Sequence, residues 1–366
     1  MSFYNKVDFH SHILTKSYYE YLNKYEDKRP DNFDTPKWSE NGHIKLMDKL
    51  GVIFAELSLS SPSLANAPEG ERPDYARRIN NEALEFVAKY PDRLGLLATL
   101  PLPDVDSSVK IAEEYLQKSG VDGIGMCTNY NGCYLGCKEF EPLMSLLNEK
   151  GTVICVHPTA PAGLPKNVNK GLPIPVMEFL MDTTRTFANL VWTDTFEKYP
   201  NIKWIFPHGA AFIPILSDRF NSFSILIKAR EPSRKLDFSN AMRHCYFDLA
   251  GFSVPKQIND MKKNIPVENF LYGSDCPYTP NAVCEALAGN LTTTVELTSR
   301  EKRLMFCENS VQLIPRLAPL IGIGSDSTPN AVIRSRLSKR KQYFSDTLDK
   351  SIAAAYNILM KIKGNL

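Results

Sequence analysis

Short apolar runs alternate with longer stretches of helical periodicity through the first 316 residues. Eight runs have the length and the β-branched or aromatic content of buried strands: VDFHSH (7–12), VIFAELSLS (52–60), RLGLLATLPL (93–102), GIGMCTNY (123–130), TVICVHP (152–158), IKWIFPHG (202–209), CYFDLAG (245–251) and FLYGSDCP (270–277). Between them, YARRINNEALEFVAKY, VKIAEEYLQK and FEPLMSLLNEK carry apolar residues at three- and four-residue spacing. Such a helix offers one face to a sheet. Pro91, Pro200 and Pro207, with Gly51, Gly120 and Gly151, punctuate the ends.

Eight strand–helix alternations predict an α/β fold of the (β/α)8 TIM-barrel type, whose usual length is about 250 residues before insertions. A doubly wound open sheet is the alternative, but no G-x-G-x-x-G turn follows a strand. The barrel domain is assigned to residues 1–318, with residues 13–40 forming a long loop after the first strand. Residues 319–366 read as a C-terminal helical extension: a linker, GIGSDSTPN, then an amphipathic helix with Phe344, Leu348, Ile352, Tyr356 and Leu359 as its apolar stripe. Its lysines are spread rather than blocked, so packing on the barrel or on a second subunit is expected over a membrane surface.

Composition narrows the picture without deciding it. A formal net charge of +2 gives no reason to expect nucleic acid or a membrane surface as partner. No apolar run approaches the ~20 residues that span a bilayer, and the N-terminus lacks a signal-peptide pattern, so a cytoplasmic location is expected. The eight cysteines show no Cys-x-x-Cys spacing. Cys133 and Cys137, in NGCYLGC, read as incidental thiols rather than half of a zinc site.

Candidate chemistry lies at the C-terminal ends of the strands, where barrel enzymes build their sites. Residues i and i+2 of a strand share a face, so His10 and His12 project together, with Asp8 below them. Strand five ends in His157, strand six in His208 and strand eight in Asp275. Four of the six histidines in the chain thus occupy one rim with a carboxylate. Imidazole nitrogens and a carboxylate oxygen are good ligands for Zn²⁺ and related divalent ions, so the rim predicts a metal site. The bland readings go elsewhere: His43 as a solvated residue opening HIKLMDKL, His244 at the stability end of the barrel, and Cys155 as a core thiol one layer deeper.

These residues resemble the amidohydrolase superfamily. The wider phrases LSLSSPS, YPDRLGLLATLPLPD, GIGMCTNYNG, VHPTAP, MDTTRTFANL, PHGAAF and YGSDCPYTP resemble its decarboxylase branch, which includes 6-methylsalicylate decarboxylase. The likeness runs from residue 7 to about 316. It implies a single divalent ion, zinc first and manganese second, held by His10, His12, His157 and Asp275. It implies His208 as a catalytic histidine outside the ligand set and Asp275 as the group that protonates the substrate. Arg219 matches an arginine that reaches a neighbouring subunit's pocket and holds a substrate carboxylate, which implies a homodimer or a dimer of dimers. Binuclear members carry a lysine ending strand four, which GIGMCTNY lacks. The paired arginines of the aminocarboxymuconate semialdehyde decarboxylases are missing from TPKWSENGH, which weighs against a dicarboxylate substrate.

The implied activity is nonoxidative decarboxylation of an ortho-hydroxy aromatic acid such as 6-methylsalicylate. The alternatives are hydrolysis of a lactone or amide, or hydration of an unsaturated acid, by activated water, and an inactive metal-binding scaffold. Trp38 and Tyr18 in the first loop, Asn129 after strand four and Phe212 after strand six are candidate substrate contacts, while Arg185 in DTTR reads as a surface or interface residue.

Overall fold

The computed structural model describes residues 4–27, 29–164, 168 and 171–322. The predicted linker and terminal helix lie outside the described residues. Eight parallel strands form the barrel: β1 (Lys6–His12), β2 (Val52–Ser58), β3 (Leu94–Thr99), β4 (Val121–Cys127), β7 (Val153–His157), β8 (Lys203–Phe206), β9 (Tyr246–Asp248) and β10 (Phe270–Leu271). β5 (Asn129–Tyr130) and β6 (Cys133–Tyr134) make a small antiparallel hairpin after β4. Its two-residue turn has Asn131 and Gly132 both at positive φ, the backbone that an Asn-Gly pair favours. The barrel closes where Phe9 N–H donates to Tyr272 O at 2.9 Å and His12 N–H to Cys276 O at 2.7 Å.

Helices cover the sheet as the periodicity predicts. In Arg72–Lys89 the buried side chains Tyr75, Ile79, Ala83 and Phe86 fall on one stripe. The Asp104 carboxylate caps the Val105–Tyr115 helix by accepting from Ser107 N–H at 3.0 Å. Among the described residues no helix is long and apolar enough to cross a membrane.

Inside the barrel, Phe54, Leu97, Val153, Cys155, Ile205 and Leu271 pack with Val7 and Phe9 of β1, and Leu313, Ile314 and Leu317 join them. A charged seal accompanies this plug. Arg316 holds Asp122 through two nitrogens, and its guanidinium lies 4.8 Å from the Phe54 ring centroid. Burial, with Asp122 beside it, pushes the Glu56 carboxyl well above its usual range. The buried acid is therefore neutral and adds no second charge to the pair.

β1 departs from simple alternation. Asp8 pairs with Ala55 and Ser11 with Leu57, so three steps on β1 answer two on β2. This bulge lets Val7 and Phe9 enter the core while His10 and His12, further along, also face the barrel axis. Asp8 is not below the two histidines as simple alternation predicts. Its carboxylate instead accepts the backbone N–H groups of His10 and Ser274, each at 3.0 Å, and ties β1 to the segment after β10.

That segment has a steric requirement. A Cβ on Gly273 would stand 2.7 Å from His10 Cβ, so no larger residue fits without moving β1. Gly273→Ala should destabilise the fold by about 1–3 kcal/mol through overpacking and shift His10. Thermal unfolding of the purified variant checks this, and a melting temperature equal to that of the parent would refute it.

Candidate metal centre

Strand ends from three parts of the chain bring four donors together. His10, His12, His157 and Asp275 each offer one atom, all within 4.8 Å of one another. Asp275 does not end β10 but follows it, in a turn where its N–H donates to His10 O at 2.7 Å. Its Oδ1 lies 3.4 Å from both His10 Nε2 and His12 Nε2. Its Oδ2 accepts from the Thr279 hydroxyl at 2.8 Å, which leaves Oδ1 as the inward donor.

The outer nitrogens of the rings are engaged elsewhere. His10 Nδ1 meets Asp248 Oδ2 at 3.0 Å, His12 Nδ1 meets Ser58 Oγ at 3.3 Å, and His157 Nδ1 donates to Pro158 O at 2.6 Å. A carbonyl accepts only, so His157 carries its proton on Nδ1 and presents a lone pair at Nε2. The buried Nε2 atoms of His10 and His12 have no hydrogen-bond partner. Buried imidazole nitrogens left this way are costly unless a cation takes their lone pairs. Three nitrogens and one oxygen suit a single divalent ion of the first transition row or zinc. The residues fit the group.

Charge in the cluster has the same direction. Burial would depress His10, but Asp248 and Asp275 override it and hold the ring well above the ordinary imidazole range. Burial would raise Asp275, yet the two imidazoles keep it well below the usual carboxylate range. Burial, then the neighbouring rings, pushes His157 well below its normal value. The two carboxylates thus favour positive charge beside them, while burial and the neighbouring rings keep His157 neutral.

His208 stands beside this tetrad, its ring centroid 4.9 Å from that of His10. It sits at φ 56°, its N–H donates to Asp248 Oδ1 at 3.2 Å, and Gln257 Nε2 donates to its carbonyl at 2.9 Å. Nδ1 is buried without a partner, and burial followed by the charge of His10 pushes the ring down to about 4. A neutral imidazole thus faces the cluster. Asp275 shares the left-handed backbone at φ 58°. Such strain at non-glycine residues is held only where the surroundings over-determine it.

Other candidates fall differently. His43 is buried, not solvated: its Nε2 lies 3.3 Å from Ser11 Oγ, and Trp38 Nε1–H donates to its Nδ1 at 3.3 Å. The indole forces the proton onto Nε2, so His43 donates to Ser11 and is no base for it. Trp38 also packs against the helix layer, 5.4 Å from the Phe86 ring. Tyr18 is likewise withdrawn, its hydroxyl donating to Pro62 O at 2.8 Å.

Asn129 is engaged by its own loop region. Its amide donates to Asp182 Oδ2 at 2.9 Å and Ala160 O at 3.2 Å, and its oxygen accepts from Gly132 N–H at 3.1 Å. One acceptor lone pair of that oxygen is left over. Phe212 is half-buried at the start of the Ile213–Arg230 helix, with its N–H on Thr184 Oγ1 at 3.2 Å. Arg219 is exposed on that helix and lies 4.9 Å from the Phe223 ring, away from the tetrad of its own chain. Arg185 is half exposed and pairs with Asp182 at 3.6 Å, His244 is exposed, and Cys155 is buried under the site.

Asp248 is the residue that the sequence reading passed over. It is buried and fixes both the His10 ring and the His208 backbone. Its position at the end of β9, level with the histidines that end neighbouring strands, was the available signal.

The amidohydrolase family profile matches residues 7–316. A protein named decarboxylase yanB from Aspergillus niger is 31% identical over 85% of this chain and 88% of its own length. A 6-methylsalicylic acid decarboxylase from Penicillium expansum is 25% identical over 86% of this chain and 98% of its own. Among solved structures, an amidohydrolase II is 36% identical with a TM-score of 0.81, covering 84% of this chain and 99% of its own. A 5-carboxyvanillate decarboxylase from Novosphingobium aromaticivorans, solved with bound manganese, is 18% identical with a TM-score of 0.74 over 85% of this chain and 97% of its own.

The geometry around Asp248 yields a measurable expectation. Asn at this position turns one acceptor into a donor, which must face either His10 Nδ1–H or the backbone N–H groups of His208 and Ala250. Asp248→Asn should weaken metal binding by roughly 10–100-fold, read by competition against a chelator. An affinity equal to that of the parent would remove Asp248 from the support of the site.

Proposed function

The chain belongs to the amidohydrolase family, and from that membership we propose that it is a metal-dependent, nonoxidative decarboxylase of an ortho-hydroxy aromatic carboxylic acid such as 6-methylsalicylate. The observation that carries the reading is the convergence of His10, His12, His157 and Asp275 on one point at the barrel mouth. The names of the relatives supply the reaction class. Zinc is the preferred ion and manganese the second, the latter supported by the manganese-bound neighbour. Held by His10, His12, His157 and Asp275, such an ion would supply concentrated positive charge for an anionic substrate.

Direct loss of CO₂ from a benzoate would leave an aryl carbanion orthogonal to the ring π-system. Protonation of the carboxyl-bearing carbon first gives a keto form that behaves as a β-keto acid and releases CO₂ readily. Asp275 is the group placed to deliver that proton. In this reading Asp275 takes up a proton from the ortho hydroxyl of the substrate and passes it to the ring carbon, which keeps the step balanced. His208, neutral and anchored through its backbone to Asp248 and Gln257, assists as a hydrogen-bonding and acid–base partner.

Arg219 completes the proposal from outside. It shares one exposed helix with Ile215, Phe223 and Leu226, which are 60%, 49% and 60% exposed. An apolar face of this kind suits association with a second copy. In a homodimer, or a dimer of dimers, Arg219 would reach the neighbouring pocket and hold a carboxylate there.

Two experiments test this. Protein loaded with zinc or manganese should release CO₂ from a panel of ortho-hydroxybenzoates, and His208→Ala should keep its metal while turnover falls about 10²-fold or more. Absence of gas together with lactone hydrolysis would replace the proposal with water activation. Mixing Arg219→Ala subunits with His12→Ala subunits should restore activity to at most one working site per heterodimer. Failure of every mixture, with dimers present, would argue against sharing of Arg219.

A further inference from the structure

A second group of soft donors lies in the connection between β4 and the Glu141–Glu149 helix, separate from the histidine tetrad. Cys133, Cys137 and Glu139 each offer a ligand atom within 4.8 Å of the others. The backbone that presents them is held from several directions. Cys133 is paired with Tyr130 in the hairpin, and Cys137 N–H donates to Tyr134 O at 3.0 Å. Leu135, between the thiols, donates its N–H to Thr128 O at 3.1 Å and accepts at its carbonyl from Asn189 Nδ2 at 2.7 Å. Gly136, at φ 95°, is the link that the turn requires: a Cβ there would stand 2.8 Å from Thr193 Oγ1.

We propose that Cys133, Cys137 and Glu139 form a second cation site, built for a thiophilic divalent ion of the zinc and cadmium class, that staples this connection. Both thiols are half-buried and Glu139 is exposed, so an ion has access. Two sulfurs and one carboxylate oxygen are a three-donor set that leaves a position for water. A reversible disulfide is the competing use of two neighbouring thiols. The Glu139 carboxylate, within the same 4.8 Å cluster, has no part in a disulfide and completes a cation's donor set; an ion would replace the thiol protons and neutralise the crowded negative charge.

The test uses the full chain with its catalytic ion bound, titrated with Cd²⁺ and followed by the ultraviolet thiolate-to-metal charge-transfer band. Nitrogen and oxygen donors of the tetrad give no such band. One equivalent per chain should saturate it, uptake should weaken as pH falls, and the melting temperature should rise with occupancy. The Cys133→Ser/Cys137→Ser double variant should lose both the band and the rise, and Glu139→Gln should bind roughly 10-fold more weakly or worse. Cys307→Ser, altering the other thiol that is not fully buried, should leave the titration unchanged. A band that survives the double variant, or that disappears with Cys307, overturns the proposal.

Discussion

Three buried imidazoles and one carboxylate aimed at a common point are an expensive arrangement, and much of the upper half of the barrel is organised to hold it. Desolvated lone pairs that face one another repel and lack the solvent that would satisfy them. The cost is offset when a cation occupies the focus, and then only if the rings cannot turn away. Each ring is therefore fixed from behind: His10 by Asp248, His12 by Ser58, His157 by the Pro158 carbonyl. The carboxylate is fixed by Thr279. Orientation of this kind is what separates a binding site from a cluster of polar side chains.

The constraint reaches into the backbone. β1 must supply apolar side chains to the core and imidazoles to the mouth, a combination that strict alternation over VDFH forbids. The bulge between Asp8 and Ser11 resolves it, and the displaced Asp8 becomes a strap between β1 and the turn after β10. Gly273 allows the two segments to approach. His208 and Asp275 occupy left-handed backbone that costs about 1–3 kcal/mol each. At the opposite end the Arg316–Asp122 pair and the apolar plug lock the base of the barrel. A rigid base helps to hold the strained mouth in register.

Much of this was legible in the chain. The eight strand segments and the rim residues followed from period and position, because parallel strands buried on both faces are continuous apolar runs. What failed did so for local reasons. The hairpin was absorbed into strand four although YNGC carries an Asn-Gly turn signal between short pairing segments. His43 reads as solvated because a single polar residue on an amphipathic helix carries no mark of what lies beneath it, and Trp38, in the loop before that helix, gives no sign of its packing. Their partners, Ser11 and Phe86, are far away in sequence. Asn129 was singled out for its place at the mouth, but its amide is consumed by Asp182, a contact across 53 residues. Side-chain hydrogen bonding over such separations leaves no periodic trace.

The division of labour between His208 and Asp275 follows from environment rather than residue type. His208 stands beside the tetrad and Asp275 belongs to it, and burial with the charge of His10 pushes the His208 ring down while the two imidazole neighbours hold Asp275 low. In the proposed reaction, a proton taken from the substrate itself would keep the protonation of carbon balanced. The hydroxyl ortho to the carboxylate would meet that need, since it is carried by the ring carbon adjacent to the one to be protonated. A meta or para hydroxyl lies farther from that carbon and does not give the β-keto acid form. On the proposed reading, a preference for ortho-hydroxy acids would arise from proton supply as well as from charge.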